Sequence, residues 1–78
     1  DLVKAIDALE NLKKIAPRNP RVYYNLALIY LERNDKESAH KNLQDGLEYG
    51  RFDPETEKLM RNLIFELEMI RSGDNVKK

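Results

Sequence analysis

The stretch that decides the fold is NPRVYYNLALIYLERNDKESAHKNLQDGLEYGRFDP, residues 19–54. It begins with Asn19-Pro20 and ends with Asp53-Pro54, so a polar residue followed by proline recurs after 34 residues. Asparagine and aspartate cap helix N-termini, and proline at the first helical position gives up only an N–H that would lack a helical partner. The two pairs therefore predict two helix starts at a fixed distance.

Outward from this stretch, the whole chain divides into four segments with apolar residues at helical spacing. Proline ends the first segment, since it lacks the N–H that a helix interior needs. We predict an all-α fold of about four helices, and a polar, disordered tail at residues 73–78. The predicted helices are Asp1 to Ala16, Pro20 to Arg33, Lys36 to Tyr49 and Pro54 to about Arg71.

The offset of 34 residues relates further positions along the chain. Self-similarity at this period is typical of a helix-turn-helix repeat solenoid, in which each helical hairpin stacks on the next. A four-helix bundle is the alternative, but a bundle requires no fixed offset. The related pairs are Ala5 with Ala39, Leu9 with Leu43, and Ala16-Pro17 with Gly50-Arg51.

Residues 20–53 resemble one complete repeat of the tetratricopeptide repeat family. The residues that match the family pattern are Tyr23, Leu26, Ala27, Tyr30, Ala39, Leu43 and Gly46. Residues 1–17 resemble the second helix of a preceding partial repeat, which closes with the family's proline. The resemblance implies a short right-handed solenoid that forms a single domain over residues 1–72, with residues 54–72 as a capping helix.

Small residues explain how the two helices of the complete repeat can approach each other. Ala27 and Ala39 are expected to face one another, and a large side chain at either site would force the helices apart. Gly46 replaces the family's usual alanine, which costs about 1 kcal/mol in a helix interior. In the last segment, Glu57 and Arg61 occupy the positions of the aromatic and the small residue. We therefore expect that segment to have no close second-helix partner of its own and to act as a solvating cap.

The second predicted helix is apolar over more of its circumference than one packing contact requires. In the family its second stripe lines a concave groove that holds an extended peptide or a helix of a partner, which implies a partner-binding surface. The alternative is that the stripe packs against neighbouring helices or against a copy of the chain. The surface consists of Tyr24, Leu28 and Leu31, edged by Arg21 and Glu32.

A candidate second interface lies on the last predicted helix. Phe65 and Met69 are one turn apart on a side of their own, where they suggest docking of a helix, a copy or a partner. The alternative is that they are ordinary isolated apolar residues at the surface. The core face of the same helix is expected to be Leu59, Met60, Leu63, Ile64, Leu67 and Ile70.

Composition and motifs offer no support for an enzyme, a cofactor or a metal site. Cysteine is absent, and the single histidine, His40, is predicted to be a surface residue rather than a metal ligand or a base. Three scattered glycines do not form a phosphate-binding loop. The 14 basic and 14 acidic residues cancel, which leaves no basic stripe for nucleic acid or for an anionic membrane surface. The longest apolar run, Leu26 to Leu31, is too short to span a bilayer.

The function predicted from the sequence is protein–protein contact, through binding of a peptide or helix of a partner protein. The alternative is a structural, self-associating fragment of a longer repeat protein. Repeat architectures usually need about three repeats for stability, and this chain offers one complete repeat and two halves. No residue pattern assigns the chain to a cellular compartment.

Overall fold

The computed structural model describes residues 1–49 and 53–76, with side chains described as far as Met69. Consecutive helices contact each other, and the second helix also contacts the fourth. The predicted all-α fold of four helices is confirmed. The helices are α1 (Leu2–Ile15), α2 (Pro20–Glu32), α3 (Lys36–Tyr49) and α4 (Pro54–Val76).

The first two helices begin at side-chain caps. Asp1 Oδ1 accepts a hydrogen bond of 2.9 Å from the backbone N–H of Val3, and Asn19 Oδ1 accepts one of 3.0 Å from that of Arg21. Pro20 occupies the first position of α2. The predicted helix start at Asn19-Pro20 is therefore confirmed, because the cap satisfies an N–H that has no partner within the helix.

The last two helices begin with a shared arrangement of two hydrogen bonds. Asp35 accepts from the backbone N–H and the hydroxyl of Ser38, at 3.0 and 2.7 Å. Asp53 accepts from the same groups of Thr56, at 3.4 and 2.7 Å. These bonds stabilise the charged carboxylates, so the pKa of Asp35 and of Asp53 lies below the ordinary value of 3.8.

The turn between α2 and α3 uses the one described non-glycine residue with a positive φ, Asn34 at 62°. The backbone N–H of Asn34 donates to the Leu31 carbonyl, and that of Asp35 donates to the Tyr30 carbonyl, both at 2.9 Å. This pair of bonds is the Schellman arrangement that ends many helices. Asparagine suits this position, since it adopts the left-handed conformation at modest cost.

The main core lies between α2, α3 and α4. Ala27 and Ala39 are fully buried within it, as the close approach of the two helices requires. A second, smaller cluster between α1 and α2 consists of Ile6, Val22 and Leu26. Helix α2 therefore contributes to both clusters. The buried residues of the main core are Tyr23, Ala27, Ala39, Leu43, Met60 and Leu67.

Gly46 lies where α3 closely approaches side chains of α2 and α4. A Cβ atom added at this position would lie 2.7 Å from Tyr23 Cβ and would overlap Met60 Cε. The sequence analysis treated this glycine as a costly departure from alanine. The structure shows why glycine is favoured here, because neither Tyr23 nor Met60 leaves room for a methyl group.

Helix α4 differs from the sequence-based expectation in two respects. Leu59, expected in the core, is 48% exposed, because only the arc formed by Met60, Leu63, Ile64 and Leu67 meets the neighbouring helices. The side chain of Ile70 lies outside the described residues. The helix also continues to Val76 rather than ending near Arg71. Gly73 lowers helix stability but does not forbid a helix. Residues 77–78 of the expected tail lie outside the described part of the chain.

Replacing Gly46 by alanine tests the close approach. Alanine is the better helix former, yet we expect Gly46→Ala to destabilise the fold by about 1–3 kcal/mol, because Tyr23 and Met60 must move. Urea unfolding followed by circular dichroism measures the change. Gln44→Ala, at an exposed position of the same helix, is the matched control and should change stability by less than about 0.5 kcal/mol. A Gly46→Ala variant more stable than the parent contradicts the account.

Removing the charge at Asp53 tests the helix caps. The folded-state pKa is below 3.8, so the cap's contribution is complete above that pH and is lost as the pH falls through the lowered value. Asp53→Asn keeps a capping oxygen but cannot titrate, so we expect a weaker dependence of the melting temperature on pH below about 4. Asp7→Asn, an exposed residue outside any cap, is the control. If the melting temperatures of Asp53→Asn and the parent depend on pH in the same way, the Asp53 cap does not contribute as described.

Candidate protein-binding surface

The apolar stripe predicted on α2 is divided between the core and the surface. Tyr24 and Leu31 are half-buried and pack against the main core. Leu28 is 40% exposed, and Arg21 and Glu32 at the edges are also exposed. Two residues of the predicted surface therefore pack within the chain, and the other three are accessible; their role in partner binding stays a prediction.

Helix α4 carries an equivalent row at the 34-residue offset. Tyr24, Leu28 and Leu31 correspond to Lys58, Asn62 and Phe65, and Arg21 corresponds to Glu55. Because α2 contacts α4, the two rows belong to adjacent helices of the stack. On α4 an open depression of about 490 Å³ is lined by Glu55, Lys58, Leu59 and Asn62. We refer to the accessible residues of both rows as the candidate groove: Arg21, Leu28 and Glu32 with Glu55, Lys58, Leu59, Asn62 and Phe65.

Phe65 is 62% exposed and Met69 is exposed one turn further along α4. The apolar pattern of α4 predicts a separate interface at these two residues. Phe65 stands at the position equivalent to Leu31, so the repeat assigns it to the same row as the predicted partner-binding residues. The 34-residue offset, which relates Glu57 and Arg61 to the first helix of the repeat, was the available signal, and extending it to Phe65 would have found this relation.

The groove contains charges of both signs and side-chain amides. Arg21 Nε lies 3.7 Å from Asp53 Oδ2, so this arginine sits beside the cap of α4 while its side chain stays largely in solvent. Lys58 and Glu55 supply opposite charges on α4, and the exposed amide of Asn62 lies between Lys58 and Phe65 along the row. An amide can donate to and accept from the backbone of an extended peptide. The surface is therefore suited to polar main chain and apolar side chains together.

Four side-chain contacts join α1, the turn that follows it, α2 and α3, and the sequence did not predict them. Tyr30 Oη donates to Glu10 Oε2 at 3.0 Å, and Tyr23 Oη donates to the Pro17 carbonyl at 2.7 Å. Burial raises the pKa of both tyrosines, which keeps the hydroxyls protonated as donors. Lys13 Nζ donates to Asn42 Oδ1 at 3.1 Å and lies 5.6 Å from the centre of the Tyr23 ring.

His40 joins α3 to α4. Its Nε2 atom lies 3.2 Å from Glu68 Oε2, and its side chain is largely covered. The sequence predicts a lone surface histidine, whereas the structure gives His40 an acidic contact on another helix. Within residues 1–49 and 53–76, no three potential metal-ligating side chains form a cluster. In the same residues, no helix combines the length and the apolar character needed to cross a membrane.

Comparison with known proteins gives one family. The model described as tetratricopeptide repeat matches residues 1–63, which include all of α1, α2 and α3 and the first part of α4. No curated protein and no solved structure matches the chain significantly. The matched region contains every groove residue except Phe65.

Proposed function

This chain belongs to the tetratricopeptide repeat family, and we propose that it binds an extended peptide or a helix of a partner protein in the candidate groove. Repeats of this family are generally interaction modules without catalytic activity. The partner is accordingly a protein. The groove is proposed as its binding site.

The observation that carries the proposal is the pair of exposed apolar side chains on adjacent helices. Leu28 on α2 and Phe65 on α4 are both accessible, while Tyr24 and Leu31 behind them are half-buried on the core. Scattered apolar residues at a surface are ordinary. Leu28 and Phe65, by contrast, belong to two rows that the 34-residue offset relates, and other residues of the α2 row pack on the core. A ligand would therefore meet side chains that are already ordered.

Charge at the groove supports a partner with both polar and apolar character. Arg21 and Glu55 occupy equivalent positions with opposite charge. Glu32 on α2 and Lys58 on α4 add one further charge of each sign. Exposed charges of this kind influence register and association rate more than affinity. The affinity is expected to come from burial of apolar side chains of the ligand against Leu28, Leu59 and Phe65.

Peptide selection tests the proposed groove. Peptides selected from a display library for binding to this chain are then measured by isothermal titration against Leu28→Ser/Phe65→Ser. We expect the double variant to bind at least about tenfold more weakly, because each serine removes an apolar contact worth about 1–2 kcal/mol.

The matched control is Ile15→Ser, since Ile15 is 79% exposed on α1, a helix that contributes no residue to the groove as defined. It should bind the selected peptides as the parent does. Circular dichroism checks that all variants remain folded. Tyr24 and Leu31 are poor choices for this test, because their half-buried side chains also support the core. Peptides that bind the double variant and the parent equally well would place the binding site elsewhere.

Self-association is the second candidate function, and the exposure of Phe65 and Met69 on α4 favours it. In a symmetric dimer these residues would cover each other in two copies. Sedimentation velocity between about 1 and 500 μM should then show a dimer, and Phe65→Ser/Met69→Ser should convert it to a monomer with unchanged helical content. A parent chain that stays monomeric throughout this range rules the dimer out.

A further inference from the structure

Packing beside a neighbour separates the predicted surface of α2 into two kinds of position. Tyr24 and Leu31 are half-buried on the main core, which α4 helps to form. Arg21, Leu28 and Glu32 stay exposed even though α4 contacts α2. A further helix stacked beside α4 in the same way would leave the equivalent positions of α4 exposed. These positions are Glu55, Asn62 and Glu66, which are all exposed, and Glu66 is an addition to the candidate groove.

The exposed positions form three pairs along the groove. Helices joined by short turns pack antiparallel, so α2 and α4, which precede and follow α3, run in the same direction. Residues at the 34-residue offset therefore lie at the same level of the groove. The first level carries opposite charges, the second an apolar side chain and an amide, and the third two negative charges. In that order, the pairs are Arg21 with Glu55, Leu28 with Asn62, and Glu32 with Glu66.

The third level is the one with two charges of the same sign. Elsewhere a glutamate pairs within its own helix, as Glu10 does with Lys13 at 3.0 Å. No basic residue stands one turn before Glu32, or one turn before or after Glu66. Arg33 follows Glu32 directly, but consecutive helical residues do not face each other. Among residues 1–49 and 53–69, neither carboxylate of the third level forms an ion pair.

The third level is suited to a basic side chain of a ligand. Like charges on neighbouring helices repel each other, and a cation between them is attracted to both. Glu32 is also the last residue of α2, where carbonyl groups without helical partners add negative partial charge. Lys58 does not offset the pair, since it lies about 12 Å before Glu66 along the axis of α4. Arginine fits better than lysine, because it offers five N–H donors rather than three.

The second level determines what lies next to the basic residue. Leu28 is 40% exposed, and it can cover an apolar side chain of the ligand. The amide of Asn62 can bond to main-chain groups that an extended peptide leaves unpaired and that a helix pairs internally. From Leu28 to Glu32 the helix rises about 6 Å, which is the length of two residues in an extended chain. Side chains two residues apart point to the same side of such a chain.

We propose that the ligand of the candidate groove is an extended peptide with an apolar residue and a basic residue two positions apart. The apolar side chain lies on Leu28, and the basic side chain, arginine in preference to lysine, lies between Glu32 and Glu66. Arg21 and Glu55 balance each other, so the first level requires no net charge of the ligand. This inference rests on the proposed function, because it names the class of peptide that the same groove binds.

Peptide selection followed by charge removal tests the third level. Peptides of ten randomised residues are selected by display, and those that Leu28→Ser/Phe65→Ser weakens at least tenfold are taken as bound in the groove. We expect these to carry arginine or lysine two positions from an apolar residue more often than the unselected library does. Replacing that basic residue by glutamine should weaken binding to the parent at least about fivefold at 50 mM salt, and replacing arginine by lysine about twofold.

The variant Glu32→Gln/Glu66→Gln completes the cycle. With it, the same replacement of the basic residue by glutamine should change the affinity less than about twofold, because its partners have lost their charge. The matched control is Glu37→Gln/Glu48→Gln, which changes the net charge equally at exposed positions of α3, a helix that contributes no residue to the groove. This control should keep the fivefold effect. Raising the salt to 500 mM should reduce the effect in the parent. Circular dichroism checks that each variant is folded.

Three results would overturn the inference while leaving the groove as a binding site. One is a set of groove-bound peptides without a basic residue two positions from an apolar one. Another is an equal loss of affinity in the parent and in Glu32→Gln/Glu66→Gln when the basic residue becomes glutamine. The third is a spacing of three or four residues, which a helical ligand requires. If Leu28→Ser/Phe65→Ser weakens none of the selected peptides, the proposed groove fails and the inference fails with it.

Discussion

The close approach of α2 to α3 is the contact on which the rest of the structure depends. It rests on three small residues, Ala27, Ala39 and Gly46, that allow two backbones and one tyrosine ring to share a narrow space. Because Met60 of α4 also reaches Gly46, the same glycine admits the third helix of the main core. Dispersion contacts at this density are individually weak but add over the interface.

Much of the fold could be predicted because its determinants are local in sequence. The caps at Asn19 and Asp53, the left-handed Asn34 and the paired alanines each act within a few residues or at a fixed repeat offset. The contacts that were missed, such as His40 with Glu68 and Tyr30 with Glu10, join different helices. Helical periodicity gives the direction of a side chain within its helix, but it does not tell which neighbouring helix that side chain will meet.

The apolar stripe on α2 could be predicted from the sequence, but the accessibility of its residues could not. The stripe on α2 was correctly recognised as apolar, yet only the structure separates half-buried Tyr24 and Leu31 from exposed Leu28. The exposure of Leu59 could not be predicted for the same reason. It depends on how much of the circumference of α4 is covered by α2 and α3. The relation of Phe65 to Leu31 needed only the repeat offset applied beyond the stretch where the family pattern is strong.

The position of α2 in both hydrophobic clusters has a consequence for how the molecule unfolds. In long repeat arrays, a terminal unit can open while the remainder stays folded. Here α1 packs on α2, and α3 and α4 both contact it, so no pair of helices keeps a complete core once α2 leaves. Opening of α2 is therefore equivalent to loss of the whole fold. A molecule that binds the exposed side of α2 would slow hydrogen exchange throughout the chain, including at residues far from the binding site.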